Sequence, residues 1–238
     1  MRPWMTIALV GCVSASEPFE RTVDAEGLTG LRVDIERGDV FYDVGNEGTF
    51  VIQGSSNASA SSETRADDRL DDNDWRINID SPDLVVEATS VQRRASVDID
   101  VFGPSVVDLN ITANQGVVTL VDVEGTHVVQ AGRIQTTRLR GSVQLTGTGG
   151  GIDAEIYPFL NGSVTVEGTS GDVIVRLPFG GNYDVEILGD PDFEMFVSEF
   201  GFVGSIAQPG YFTGVAGDGS IPVRITAQGG SVQLLEAL

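Results

Sequence analysis

Apolar side chains alternate with polar ones along short runs of this chain, and the runs themselves recur. Leu31-Arg32-Val33-Asp34-Ile35, Ser96-Val97-Asp98-Ile99-Asp100-Val101 and Val107-Asp108-Leu109-Asn110-Ile111 all show it. A period of two belongs to a strand with one buried face. From residue 116 the alternation acquires a template, Gly-x-[Val/Ile]-x-[small or apolar]. It begins at Gly116 (GVVTL), Gly132 (GRIQT), Gly150 (GGIDA) and Gly171 (GDVIV), in steps of 16, 18 and 21 residues. A second phase begins at Gly141 (GSVQL), Gly162 (GSVTV) and Gly230 (GSVQL). Short strands at this interval predict stacked coils, each burying its apolar face against its neighbours.

The pleat assigns columns. Val118, Ile134, Ile152 and Val173 are expected to stack in one inward column, and Leu120, Thr136, Ala154 and Val175 in the next. Val143 with Val164, and Leu145 with Val166, are the equivalent pairs on the other face. The glycines are expected at corners, where positive φ is tolerated. The predicted fold is all-β: a short right-handed parallel β-helix (β-solenoid) with N-terminal strands and a C-terminal cap. Open ends expose strand edges and must be covered; residues 19–53 and the aromatic-rich tail are the candidates. In that tail Phe193, Phe196, Val197 and Phe200 fall at helical spacing and predict a cap on the last coil, an exposed aromatic docking patch being the competing reading. The stretch 54–74 is rich in Ser, Asn and Asp and predicts a polar acidic loop.

Charge narrows the choice of partners. Thirty-five acidic residues face 14 basic ones, all arginine, for a formal net charge of −21. Such a surface repels phosphates, which argues against nucleic acid and against anionic lipid headgroups. It leaves cationic peptides and divalent metal ions as alternative ligands.

The one cysteine, Cys12, excludes an intramolecular disulfide. Arg2 supplies a positive start and Thr6 to Val10 a short apolar run, after which Leu9-Val10-Gly11-Cys12 is similar to the lipobox of bacterial lipoproteins. This divides the chain into a signal peptide (1–11), a lipidated tether (12–27) and a β-solenoid domain (28–238). No stretch approaches the ~20 apolar residues of a membrane-spanning helix. Membrane attachment is therefore expected through acyl chains on Cys12, with the protein in the cell envelope facing the periplasm or the exterior.

Catalytic signals are weak. The single histidine, His127, sits within a coil and lacks a Ser–Asp partner pattern. Arg133, Arg138 and Arg140 cluster, as a β-helix polysaccharide lyase would need, but arginine holds its proton too firmly to act as a base. Pairing with exterior carboxylates is the expectation for them. The acidic run Asp67 to Asp74 supplies oxygen ligands but lacks the spacing of an EF-hand or a calcium-binding nonapeptide. No catalytic, cofactor-binding or metal-binding residue is assigned, and the chain is expected not to be an enzyme. A carbohydrate-active enzyme is the weakest of the alternatives.

The order of elements over about residues 28–235 resembles the bacterial putative-adhesin domains. An N-terminal strand pair and a variable polar segment precede an alternating strand ending near proline (VDIDVFGP). Gly-phased coils follow, then a strand closing in Leu-Pro (GDVIVRLP, Gly171 to Pro178) and a terminal Gly-x-Val-x-Leu (Gly230 to Leu234). Two departures are Phe102-Gly103 before the proline and His127 in an apolar slot of one coil. The resemblance implies an envelope protein built as a short β-solenoid, with no catalytic residue to carry over; the expected role is that of a non-enzymatic module for adhesion or for contact with a surface protein or glycan.

Overall fold

Like residues stack on like residues from strand to strand. The computed structural model describes residues 12–237; the segment 1–11, expected from the sequence to be a signal peptide, lies outside them. Strands β1 (Val13–Asp24), β2 (Gly30–Arg37), β3 (Val40–Val44) and β4 (Thr49–Ala60) precede helix α1 (Glu63–Asp71). Then come β5 (Asn73–Asp80), β6 (Asp83–Ser90), β7 (Ala95–Gly103), β8 (Asp108–Val121), β9 (Glu124–Gly147), β10 (Ile152–Tyr157), β11 (Val164–Gly168) and β12 (Val173–Leu177). The remainder are β13 (Tyr183–Leu188), β14 (Met195–Val197), β15 (Val203–Gln208), β16 (Tyr211–Val215), β17 (Ile221–Ala227) and β18 (Val232–Glu236).

One parallel ladder places Ile99, Val40, Val118, Ile134, Ile152, Val173 and Val232 in register, through β7, β3, β8, β9, β10, β12 and β18. The neighbouring column is Leu120, Thr136, Ala154, Val175 and Leu234. Both contain the columns assigned from the pleat. A second ladder aligns Leu84, Leu31, Leu109 and His127, and then Val143, Val164, Val223 and Val185. Strands β8 and β9 are long enough to serve both ladders; the β8–β9 register shifts between Ala113 and Val117, where β8 passes from one to the other. The inward valines, leucines and isoleucines of both ladders form a single hydrophobic cluster, and each buried side chain of this size contributes about 1.5–3 kcal/mol.

A purely parallel sheet is not what forms. The sheet is mixed and unclosed: β1–β4, β4–β7 and β5–β6 run antiparallel near the N-terminal strands, and β13–β16 and β15–β16 do so near the C-terminal ones. Two-residue connections account for β5–β6 and β15–β16, since a short connection can join only antiparallel neighbours; the other antiparallel pairs bring together strands distant in sequence.

Three expectations need correction. The tether proposed for 12–27 is largely strand: β1 pairs with β4 over twelve residues, from Val13↔Ala60 to Asp24↔Thr49. The loop proposed for 54–74 is the second half of β4, helix α1 and the start of β5. In β4 Ser56, Ala58 and Ala60 alternate inward, so the strand signal is carried by small residues where α1 packs close, with Ala66 buried beneath it. The helical spacing at Phe193–Phe200 does not produce a helix; Met195–Val197 is a strand of three.

The ends are covered by aromatics. At one end Phe19 of β1 stacks on Trp75 of β5 with centroids 4.0 Å apart, and Arg21 donates to the Ile77 carbonyl at 2.8 Å. At the other, Tyr183, Phe200, Phe202 and Phe212 form a chain of edge and tilted contacts. Phe200 is buried there while Phe193 and Phe196 are exposed, so the cap recruits only part of the predicted aromatic run.

Glycine is required mainly by close approach. A Cβ on Gly116 would lie 1.7 Å from the Gly38 carbonyl oxygen, with no positive φ involved. Gly141 combines both demands, with φ +130° and a Cβ that would fall 1.7 Å from the Gly125 carbonyl.

Candidate interaction surface

Cys12 is exposed and free, at the residue before β1. It shares an open concavity of about 700 Å³ with Gly38, Asp39, Ser59, Arg93, Arg94 and Asp98. The strand that follows is pinned along its full length to β4, so whatever Cys12 carries is held at a fixed edge of the fold.

The outward rows are mainly polar, with Phe41 and Ile174 as apolar members. Thr119, Gln135 and Asp153 lie side by side on β8, β9 and β10, in an open concavity of about 570 Å³ completed by Thr137, Arg138 and Arg176. Arg138 forms a two-toothed pair with Asp122, and Arg176 pairs with Asp153. The Arg138 hydrogen bond holds the Asp122 carboxyl below the usual carboxylate range. Arg138 thus pairs with an exterior carboxylate as expected. Arg133 and Arg140 make no such side-chain pair among the described residues, and Arg133 lies over Gly150 instead. A smaller concavity of about 370 Å³ is lined by Asp34, Glu36, Asp74, Arg76 and Glu87, with Arg76 bonded to Asp74 at 2.7 Å.

His127 is a core residue. Its ring is fully buried, beside Leu109 in the inward column. Nε2 lies 3.1 Å from the Arg140 carbonyl oxygen; a carbonyl only accepts, so Nε2 carries the proton. Nδ1 has no hydrogen-bond partner among the described residues. Burial pushes the imidazole down to about 4, against smaller upward pulls from the Arg140 carbonyl and the charge of Asp108. The side chain is a neutral plug in an apolar slot.

Several acidic residues do structural work that sequence reading missed. Asp39 accepts from the Val117 amide (2.8 Å), Asp98 from the Asp39 amide (2.9 Å), Asp108 from the Thr126 amide (2.7 Å) and Asp172 from the Ser231 amide (2.9 Å). Each carboxylate satisfies a backbone N–H beside a corner glycine of the adjacent strand. The available signal was Asp directly after Gly, at Gly38-Asp39 and Gly171-Asp172. The Ser231 bonds hold the Asp172 carboxyl down. The run Asp67 to Asp74 is distributed along α1 and into β5, and among the described residues no group of three or more His, Cys, Asp or Glu is arranged to hold a metal ion.

The chain matches no protein-family model and no curated protein sequence. Among solved structures it is similar to a putative cell adhesion protein from Clostridium sporogenes, at 13% identity and TM-score 0.47, over 94% of this chain and 100% of that one. It is also similar to a putative adhesin from Parabacteroides merdae, at 8% identity and TM-score 0.31, over 91% and 96% of the two chains. A putative lipid binding protein from Parabacteroides distasonis gives 9% identity and TM-score 0.26, again over 91% and 96%. At such identities and scores the likeness carries no argument about what this chain binds.

Proposed function

We propose that this chain is a non-enzymatic envelope lipoprotein, anchored through an acylated Cys12, whose stacked coils form a short right-handed β-solenoid used for adhesion to a surface protein or glycan. One observation carries the reading: inward columns in continuous register leave outward rows that are mainly polar, Thr119, Gln135 and Asp153 standing in line between Phe41 and Ile174. Every inward position is committed to its neighbours, so the outward rows are free to vary with a partner while the frame stays fixed. Parallel pairing between segments 16–21 residues apart supports the solenoid, and the mixed ends act as its caps. The buried, neutral His127 and the arginine–aspartate pairs support a frame without a reaction centre.

Two measurements test the proposal. Cys12→Ser is expected to move the protein from the membrane fraction to the soluble fraction; unchanged membrane association refutes the anchor. Binding to an array of glycans and envelope extracts is expected to survive added salt. Binding that collapses as ionic strength rises favours capture of cationic ligands by the acidic surface instead.

A further inference from the structure

The net charge of −21 predicts that anionic lipid headgroups are repelled, yet charge acts over only about 8 Å at physiological ionic strength. What a membrane meets is therefore the local charge around the anchor. The turn from β6 to β7, Val91-Gln92-Arg93-Arg94, lies there. Arg93 and Arg94 share one concavity with Cys12. Both are exposed, and among the described residues neither side chain makes a hydrogen bond or ion pair. Val91, just before the turn that the Ala95 N–H closes onto the Gln92 carbonyl at 3.2 Å, is 73% exposed.

The turn is braced rather than loose. Arg37 donates to the Ser90 and Gln92 carbonyls at 3.3 and 2.7 Å, and the Gln92 side chain donates to Asp72 at the end of α1, at 2.9 Å. Asp39 and Asp98, the two acidic residues of the concavity, are occupied. Asp39 binds the Val117 amide, and Asp98 binds the Asp39 amide and the Asn57 side chain. They are held in the wall of the concavity and leave Arg93 and Arg94 unpaired. Two free guanidinium groups at the tip of the turn, with an exposed valine beside them and the proposed point of acylation close by, match a phospholipid surface: guanidinium pairs with phosphate, and the aliphatic side chain enters the headgroup layer.

We propose that the Val91–Arg94 turn docks on anionic phospholipid headgroups and fixes how the anchored protein stands on its membrane. The proposal rests on the lipid-anchor reading above, and its test is chosen to be independent of it. Cys12 is the only cysteine, so the full chain can be coupled there to a maleimide phospholipid in vesicles, whether or not the cell acylates it. Backbone amide exchange of residues 91–94 is then compared on neutral phosphatidylcholine and on vesicles containing phosphatidylglycerol. Among the described residues the Val91, Arg93 and Arg94 amides make no backbone hydrogen bond to mask the effect. Slower exchange of this turn is expected on the anionic vesicles alone. The Arg93→Gln/Arg94→Gln variant should weaken docking by roughly twenty-five-fold, at about five-fold per arginine. Unchanged exchange elsewhere in the chain shows that the variant is folded. Equal exchange of the turn on both vesicles, or protection undiminished in the variant, overturns the proposal. Mass spectrometry of Cys12 in protein extracted from membranes reports separately on acylation, so failure of the anchor cannot be mistaken for failure of the turn.

Discussion

His127 gives the sharpest test of how the core is built. The ring occupies a slot that leucine fills one strand earlier, at Leu109. Burial lowers the imidazole from 6.5 to about 4. A base with a depressed folded-state pKa binds fewer protons folded than unfolded, so stability is complete above about pH 6.5 and declines as pH falls toward 4. The drop of two and a half units corresponds to roughly 3 kcal/mol by pH 4. His127→Leu removes that titration. It also removes the unpartnered Nδ1, and it leaves the Arg140 carbonyl without its donor, a loss of about 1 kcal/mol at every pH. Urea unfolding of both proteins across the acid range is the assay. Groups common to the two proteins cancel in the difference. The variant is expected to gain roughly 3 kcal/mol on the parent between neutral pH and pH 4. Because the chain has one histidine, its NMR resonance can be followed alone and should not titrate until well below pH 6. Parallel stability curves, or a resonance titrating near 6.5, would refute the burial argument.

Other predictions follow from the close approach of strands and from the cap. Gly141→Ala forces a Cβ against the Gly125 carbonyl in a backbone conformation that alanine resists; thermal unfolding should report a loss of about 2–5 kcal/mol. Gly180→Ala is the control, since its Cβ would meet nothing within 4 Å, and only the left-handed backbone, about 1 kcal/mol, should register. Phe200→Ala removes the buried centre of the aromatic cap. It should destabilise by about 3–5 kcal/mol, and amide exchange should rise first in β14 to β16. Phe196→Ala, exposed on the same segment, should change stability by less than about 0.5 kcal/mol.

How much of this was legible in the sequence depends on which way a side chain points. Val118, Ile134, Ile152 and Val173 are each pressed by the strands on either side, so their spacing leaves a periodic trace that reads directly as a column. The same logic hid the second half of β4. Its inward residues are Ser56, Ala58 and Ala60, because α1 lies too close for anything larger, and an alternation of Ser and Ala resembles a loop. Phe193, Phe196 and Phe200 mimicked a helical stripe, yet only Phe200 is buried; apolar spacing states which residues could share a face and leaves open whether the cap uses them.

Outward positions are answerable to no neighbouring strand, and this is why the candidate surfaces stayed hidden. Nothing in the linear sequence sets Arg93 and Arg94 apart; it is the fold that brings Cys12 beside them and sets Arg37 of β2 to brace their turn. The aspartates at 39, 108 and 172 read as spare acidity until the register sets each against a backbone amide of the adjacent strand. These two groups also make the formal charge a poor guide to partners. Some carboxylates are fixed at the corners of the stack by backbone amides, while Arg93 and Arg94 beside Cys12 have no side-chain partner among the described residues. A partner at that edge meets cations on a chain that is anionic by composition, and the sign of its salt dependence there should be opposite to that on the rest of the surface.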